Sequence, residues 1–137
     1  MCQNIDDFNR GCAMIFAALY QRFPAPFDLD ITALESGMAA ANDTEALKQA
    51  RLGVYSATVK FLRDEGYLRY TGHDTREWLF LECVLTSRGL SALNRTPQSL
   101  KAPQKTIGDT LIDLSRNILR DAAKETAKQA VSAILGG

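Results

Sequence analysis

The side chains with the widest chemical range are few in this chain. His73 is the only histidine, and the three cysteines, Cys2, Cys12 and Cys83, are widely spaced. One imidazole cannot build a histidine-based metal triad, and no Cys-x-x-Cys pair opens a zinc site. No phosphate loop or dinucleotide fingerprint is present, and no serine or cysteine has a histidine at a nucleophile–base spacing. An odd number of scattered cysteines also makes no disulfide framework, so they read as reduced thiols used as small apolar side chains. His73 lies in a polar turn and reads as solvated. These residues predict no enzymatic activity, no cofactor and no metal.

What remains is charge and shape. The 137 residues are 46% apolar and carry 16 charges of each sign, enough for one core and no global attraction to nucleic acid or an anionic membrane. Between residues 44 and 80 the balance is six Lys/Arg to five Asp/Glu; between 1 and 43 it is two to six. The N-terminus has acidic Asp6 and Asp7 and no long apolar run, so no signal peptide and no membrane span is predicted, and a cytoplasmic protein is expected.

The elements that would position these charges follow from periodicity. Residues 5–22 space Ile5, Phe8, Cys12, Ile15, Phe16 and Leu19 like one helix, and the prolines of "FPAPF" end it. Leu29 to Ala41 reads as a second helix capped by Asp28 or Asp30. A third runs from Thr44 to about Glu65, with Gly53 a possible break and Val54, Ala57 or Thr58, Phe61 and Leu62 as its buried stripe. "YLRYT" and "REWLFLECVLT", joined by "GHDT", read as a β-hairpin. Leu68, Tyr70, Leu79, Leu81, Cys83 and Leu85 would face inward. Trp78, Phe80 and Val84 would lie on the other side, which then needs a cover of its own. Thr86 or Ser87 opens a short helix with Leu90 and Leu93 inward.

The stretch "SATVKFLRDEGYLRY", residues 56–70, passes from helix into strand with almost no loop. Together with "VLTSRGLSAL" it resembles the MarR-like bacterial winged-helix regulators, over about residues 8–95. The resemblance implies a mainly α (α+β) fold: a winged helix-turn-helix with a two-stranded β-hairpin wing. It further implies a transcriptional regulator binding double-stranded DNA through the third helix and the wing. Carried over, Tyr55, Ser56 and Lys60 would face the groove. Arg63, with Lys48 or Arg51, would reach phosphates, and Arg69, His73 and Arg76 would serve the wing. The alternative is a winged helix reused as a protein–protein interaction adaptor without DNA binding.

Residues 96–105 read as a linker, and 106–137 as a C-terminal amphipathic region dominated by one long helix. At 100° per residue, Ile107, Leu111, Leu114, Ile118 and Ala122 form one stripe. Ile112, Leu119, Ala123, Thr126, Ala130 and Ile134 form a second. Two stripes predict two neighbours. One would be the winged-helix domain, residues 1–95. The other would be a second copy, paired in coiled-coil fashion through Ile112, Leu119, Ala123, Ala130 and Ile134. Long terminal helices of this kind make homodimers in the family that the chain resembles.

Overall fold

The computed structural model describes residues 3–38, 43–95, 106–115 and 121–136. Its architecture is mainly helical with a small antiparallel sheet. α1 (Gln3–Arg22) is the central strut, with Cys12, Ala13, Ile15, Phe16, Ala17 and Leu19 all buried. After the prolines comes a short strand, β1 (Phe27–Asp30), and then α2 (Ile31–Met38). The second helix starts at Ile31 and not at the expected Leu29, which belongs instead to the strand "FDLD". Its alternation of apolar and acidic residues is a strand signal only four residues long. Asp30 does cap α2: its Oδ1 accepts from the Thr32 backbone at 2.9 Å and from Thr32 Oγ1 at 2.6 Å.

α3 (Glu45–Asp64) is a single helix through Gly53. Thr44 Oγ1 accepts from Leu47 N at 3.1 Å to cap its start. At its end Gly66 takes φ +83°. Gly66 N donates to Arg63 O at 3.0 Å and Tyr67 N to Leu62 O at 2.9 Å. This is the paired hydrogen-bond pattern of a glycine-terminated helix, and it turns the chain directly into β2 (Leu68–Arg69). A Cβ built at Gly53 meets nothing within 4 Å. Gly53→Ala is therefore expected to stabilise the protein by about 1 kcal/mol through helix propensity alone, measurable as a raised urea midpoint.

The ribbon consists of β2, β3 (Gly72–His73) and β4 (Leu79–Leu85), in the strand order β1-β4-β2 with β3 also on β4. Both flanking pairings are antiparallel, with Leu68 opposite Leu85 and His73 opposite Phe80. The tight turn lies later than "GHDT". Asp74 Oδ1 accepts from Trp78 N at 2.8 Å and Leu79 N at 3.1 Å, and Glu77 takes φ 60°. On the β1 side the register slips between Phe27 and Leu29, beside Glu82 at φ 53°. This bulge changes which side chains face inward. Phe80, Cys83 and Leu85 are in the core, while Leu81 is 36% exposed. The expected run Leu79, Leu81, Cys83, Leu85 is thus corrected at its first half. Tyr67, just ahead of β2, is buried edge-on against Phe16, with ring centroids 6.1 Å apart.

Thr86 Oγ1 accepts from Gly89 N at 3.1 Å and caps α4 (Ser87–Asn94), which buries Ala92 and Leu93. The expected single C-terminal helix is replaced by α5 (Ile107–Ser115) and α6 (Asp121–Gly136), both packed on α1 and on each other. The start of α5 and the end of α6 meet at Arg95. Its carbonyl accepts from Ile107 N at 2.9 Å, and its Nη2 donates to Ala133 O at 3.0 Å. The two helices therefore run back along one another. Ile107, Leu111, Ala130 and Ile134 belong to the same core as α1. Two members of the expected partner stripe, Ala130 and Ile134, are thus spent on the chain's own core, and Ile112 is half-buried against it. Leu119 and the side chain of Ala123 lie outside the described residues. Among the described residues, members of both stripes, Ile107, Leu111 and Leu114 of the first and Ala130 and Ile134 of the second, are buried in the chain's own core. No described helix is long and apolar enough to cross a membrane.

Candidate interaction surface

The inward side of α3 is fixed by two contacts. Tyr55 is fully buried, and its ring occupies the space left by the missing side chain of Gly11: a Cβ there would sit 2.7 Å from Tyr55 Cδ1. Burial pushes the Tyr55 hydroxyl pKa well up, with the Asp7 charge adding to it. One turn earlier, Arg51 reaches across to α2. Its Nε and Nη2 donate to Glu35 Oε2 at 3.1 and 2.9 Å, and Nη2 also donates to Asp43 Oδ2 at 2.5 Å. Burial works against the Arg51 charge, but hydrogen bonds and charge from both carboxylates outweigh it and raise the pKa.

These contacts relocate the residues assigned to a DNA groove. Tyr55 and Ser56 are buried and present nothing to a ligand, and Arg51 is committed to its ion pairs. The helix is rotated relative to the expected stripe, burying Leu52, Tyr55, Thr58, Val59 and Leu62, while Phe61 is 42% exposed. Lys60 is on the surface but pairs with Glu77 Oε2 at 2.5 Å across to the ribbon turn. That hydrogen bond also holds the Glu77 carboxyl below its ordinary range. Arg63 stacks over the Tyr70 ring at 4.9 Å and Arg76 over Trp78 at 4.6 Å. Arg69 is exposed, and so is His73, whose Nδ1 lies 2.8 Å from Asp74 O. The structure thus brings Arg63, Arg69, His73 and Arg76 to the ribbon end of α3, buries Tyr55 and Ser56, and leaves Lys60 on the surface in its pair with Glu77.

The outward side of α3 is made of Ala46, Ala50, Gly53 and Ala57, at spacings of four, three and four, continuing to Phe61. Beside it runs a groove of about 290 Å³ between α1 and α3, lined by Asn4, Ile5, Phe8, Val54, Ala57, Thr58 and Phe61. Phe8 meets Phe61 edge-on at 5.6 Å. Ile5 at 53%, Leu47 at 44% and Phe61 at 42% are three of the four large apolar side chains that are most exposed among the described residues. Ile5 and Phe61 match the helical period of the expected buried stripes but lie outside the core. Among the described residues Ile5 stays exposed, and Phe61 is covered only on the side where it meets Phe8.

Cys12 and Cys83 are buried free thiols. Burial pushes the Cys83 thiol up to about 12 and Cys12 higher still, so neither offers a thiolate at neutral pH. Among the described residues no group of three or more His, Cys, Asp or Glu side chains could hold a metal ion. In comparisons with known proteins, no family model, curated protein or solved structure matches the chain.

Proposed function

We propose that this protein is a winged-helix interaction module that docks an apolar helical segment of a protein partner along α3 and the adjoining α1/α3 groove. The element order from α1 to β4, and the strand order β1-β4-β2, agree with a winged helix. In that fold α3 stands where DNA-binding members carry their reading helix. The observation that carries the reading is the outward face of this helix. It is small and apolar from Ala46 to Ala57, and flanked by exposed Leu47, Phe61 and Ile5. Phosphate contacts supply most of the affinity of DNA-binding surfaces, and this face has few charges to give. Small residues at helical spacing let a second helix approach closely, and a patch of large apolar groups marks a contact surface. The reading assigns no reaction to the protein.

A photo-crosslinking residue placed at Ala57 in the producing cell tests it, with the same residue at exposed Ser132 on α6 as control. A discrete protein adduct is expected at position 57 only, lost when Phe61→Glu is added. Fluorescence anisotropy with mixed-sequence duplex DNA at about 0.15 M salt is expected to show no binding. Duplex binding abolished by Arg63→Glu or Arg69→Glu, without an adduct at 57, would replace this reading with DNA recognition.

A further inference from the structure

A second site stands on α4 and shares no residue with the groove just described. Arg88 and Ser91, three apart, share one face of α4, and Arg95 follows as its C-cap. They line a cleft of about 210 Å³ with Tyr67, Ala92 and Ile134. Both arginines are held in place by neutral groups. Arg88 donates to Glu65 O at 2.9 Å and to the Tyr67 hydroxyl at 3.2 Å, with its guanidinium 4.5 Å over the Tyr67 ring. Arg95 donates to Ala133 O at 3.0 Å and to Ala92 O at 3.4 Å. The Tyr67 hydroxyl in turn donates to Ile134 O at 3.3 Å.

Neither guanidinium is within ion-pair distance of a described carboxylate. Arg95 meets a carbonyl in the last turn of α6 and Arg88 the C-cap carbonyl of α3, and each helix end carries about half a negative charge. Two full positive charges exceed that. A guanidinium has five N–H donors, and each arginine here uses two, so donors remain for a ligand. A second cleft of about 430 Å³, lined by Phe23, Ser87, Leu90, Ser91, Asn94 and Arg95, shares Ser91 and Arg95 with the first.

We propose that the paired clefts bind a small phosphate monoester. The phosphate lies between Arg88 and Arg95 with the Ser91 hydroxyl donating to it, and the organic body lies against Phe23 and Leu90. Two preorganised guanidiniums match a dianion, and their forked donors suit phosphate oxygens. The first cleft is the size of a phosphate and a few carbons; the second supplies an apolar wall for the rest.

Calorimetric titration of the full chain with phenyl phosphate, inorganic phosphate and phenol tests this. Phenyl phosphate is expected to bind most tightly, inorganic phosphate more weakly, and phenol not measurably. Arg88→Gln is expected to weaken phenyl phosphate about tenfold or more, the loss of a charge-assisted hydrogen bond. Arg95 also holds α6, so Ser91→Glu is the cleaner probe. It puts a carboxylate between the arginines at an exposed position and is expected to abolish binding while leaving thermal unfolding unchanged. No heat with phenyl phosphate, or binding that persists in Ser91→Glu, overturns the proposal. So does an oligonucleotide that binds while phenyl phosphate does not.

Discussion

Glu35→Ala is expected to remove roughly 3–5 kcal/mol of folding stability, the cost of stranding a buried charge. Glu35 is 1% exposed and receives two of the hydrogen bonds from Arg51. Without it the guanidinium stays between α2 and α3 with Asp43 as its nearest counter-charge, and an alanine cannot refill the space. Domains of this size are stable by about 5–15 kcal/mol in total, so the variant loses a large fraction. Chemical denaturation of Glu35→Ala beside the parent measures this directly. The double variant Glu35→Leu with Arg51→Met separates charge from packing. Apolar residues of similar volume can replace a buried pair at little cost, so the double variant is expected to be more stable than Glu35→Ala alone. A loss below about 1 kcal/mol in Glu35→Ala, the scale of a surface pair, would mean that Asp43 holds Arg51 unaided. The pair matters for function because it sets the rotation of α3, and so which face that helix shows to a partner.

The second large effect is expected at Gly89. A Cβ there would sit 2.1 Å from the Tyr67 carbonyl oxygen and 3.1 Å from Leu85 Cδ2. The carbonyl cannot swing away freely, because it accepts from Thr86 N at 3.1 Å and belongs to the junction between α3 and β2. Gly89→Ala is therefore expected to cost about 3 kcal/mol, the upper part of the usual range for overpacking. That corresponds to a fall of roughly 10 °C or more in melting temperature for a chain of this length. Gly53→Ala, the same substitution in open space on α3, is expected to move stability the other way. Opposite signs for one chemical change isolate the clash as the cause. Equal and small effects at both positions would show that the α4 start can shift to admit a methyl group.

Helix ends were legible because they are local. Thr44, Asp30 and Thr86 sit immediately before apolar-periodic segments and cap them through atoms two or three residues ahead. Gly66 was legible for the same reason, since a helix that turns straight into a strand needs a residue tolerant of positive φ. The ribbon's strand pairing also followed from alternation on either side of a polar turn.

What could not be read was which side of each element faces inward. α3 carries Val54, Tyr55, Phe61 and Leu62 around much of its circumference, so periodicity alone allows more than one buried face. The face is chosen by Tyr55 entering the space above Gly11 and by Arg51 meeting Glu35 sixteen residues away. Both are contacts between distant parts of the chain. β4 shows the same dependence: its inward set changes at Glu82 because β1 pairs beside it with a bulge, and β1 itself was too short to recognise.

The C-terminal region repeats the lesson at larger scale. Its amphipathic stripes were visible in the sequence, but a stripe records only that something apolar covers it. α1 covers both α5 and α6, while Leu47 and Phe61 on α3 and Ile5 on α1 stay exposed. The sequence alone therefore determined the longer helices, their caps and the glycine turn into the ribbon, because those depend on neighbours a few residues apart. Only the tertiary structure decided which faces are used up in the core and which remain to bind, because that depends on which distant side chains arrive opposite one another.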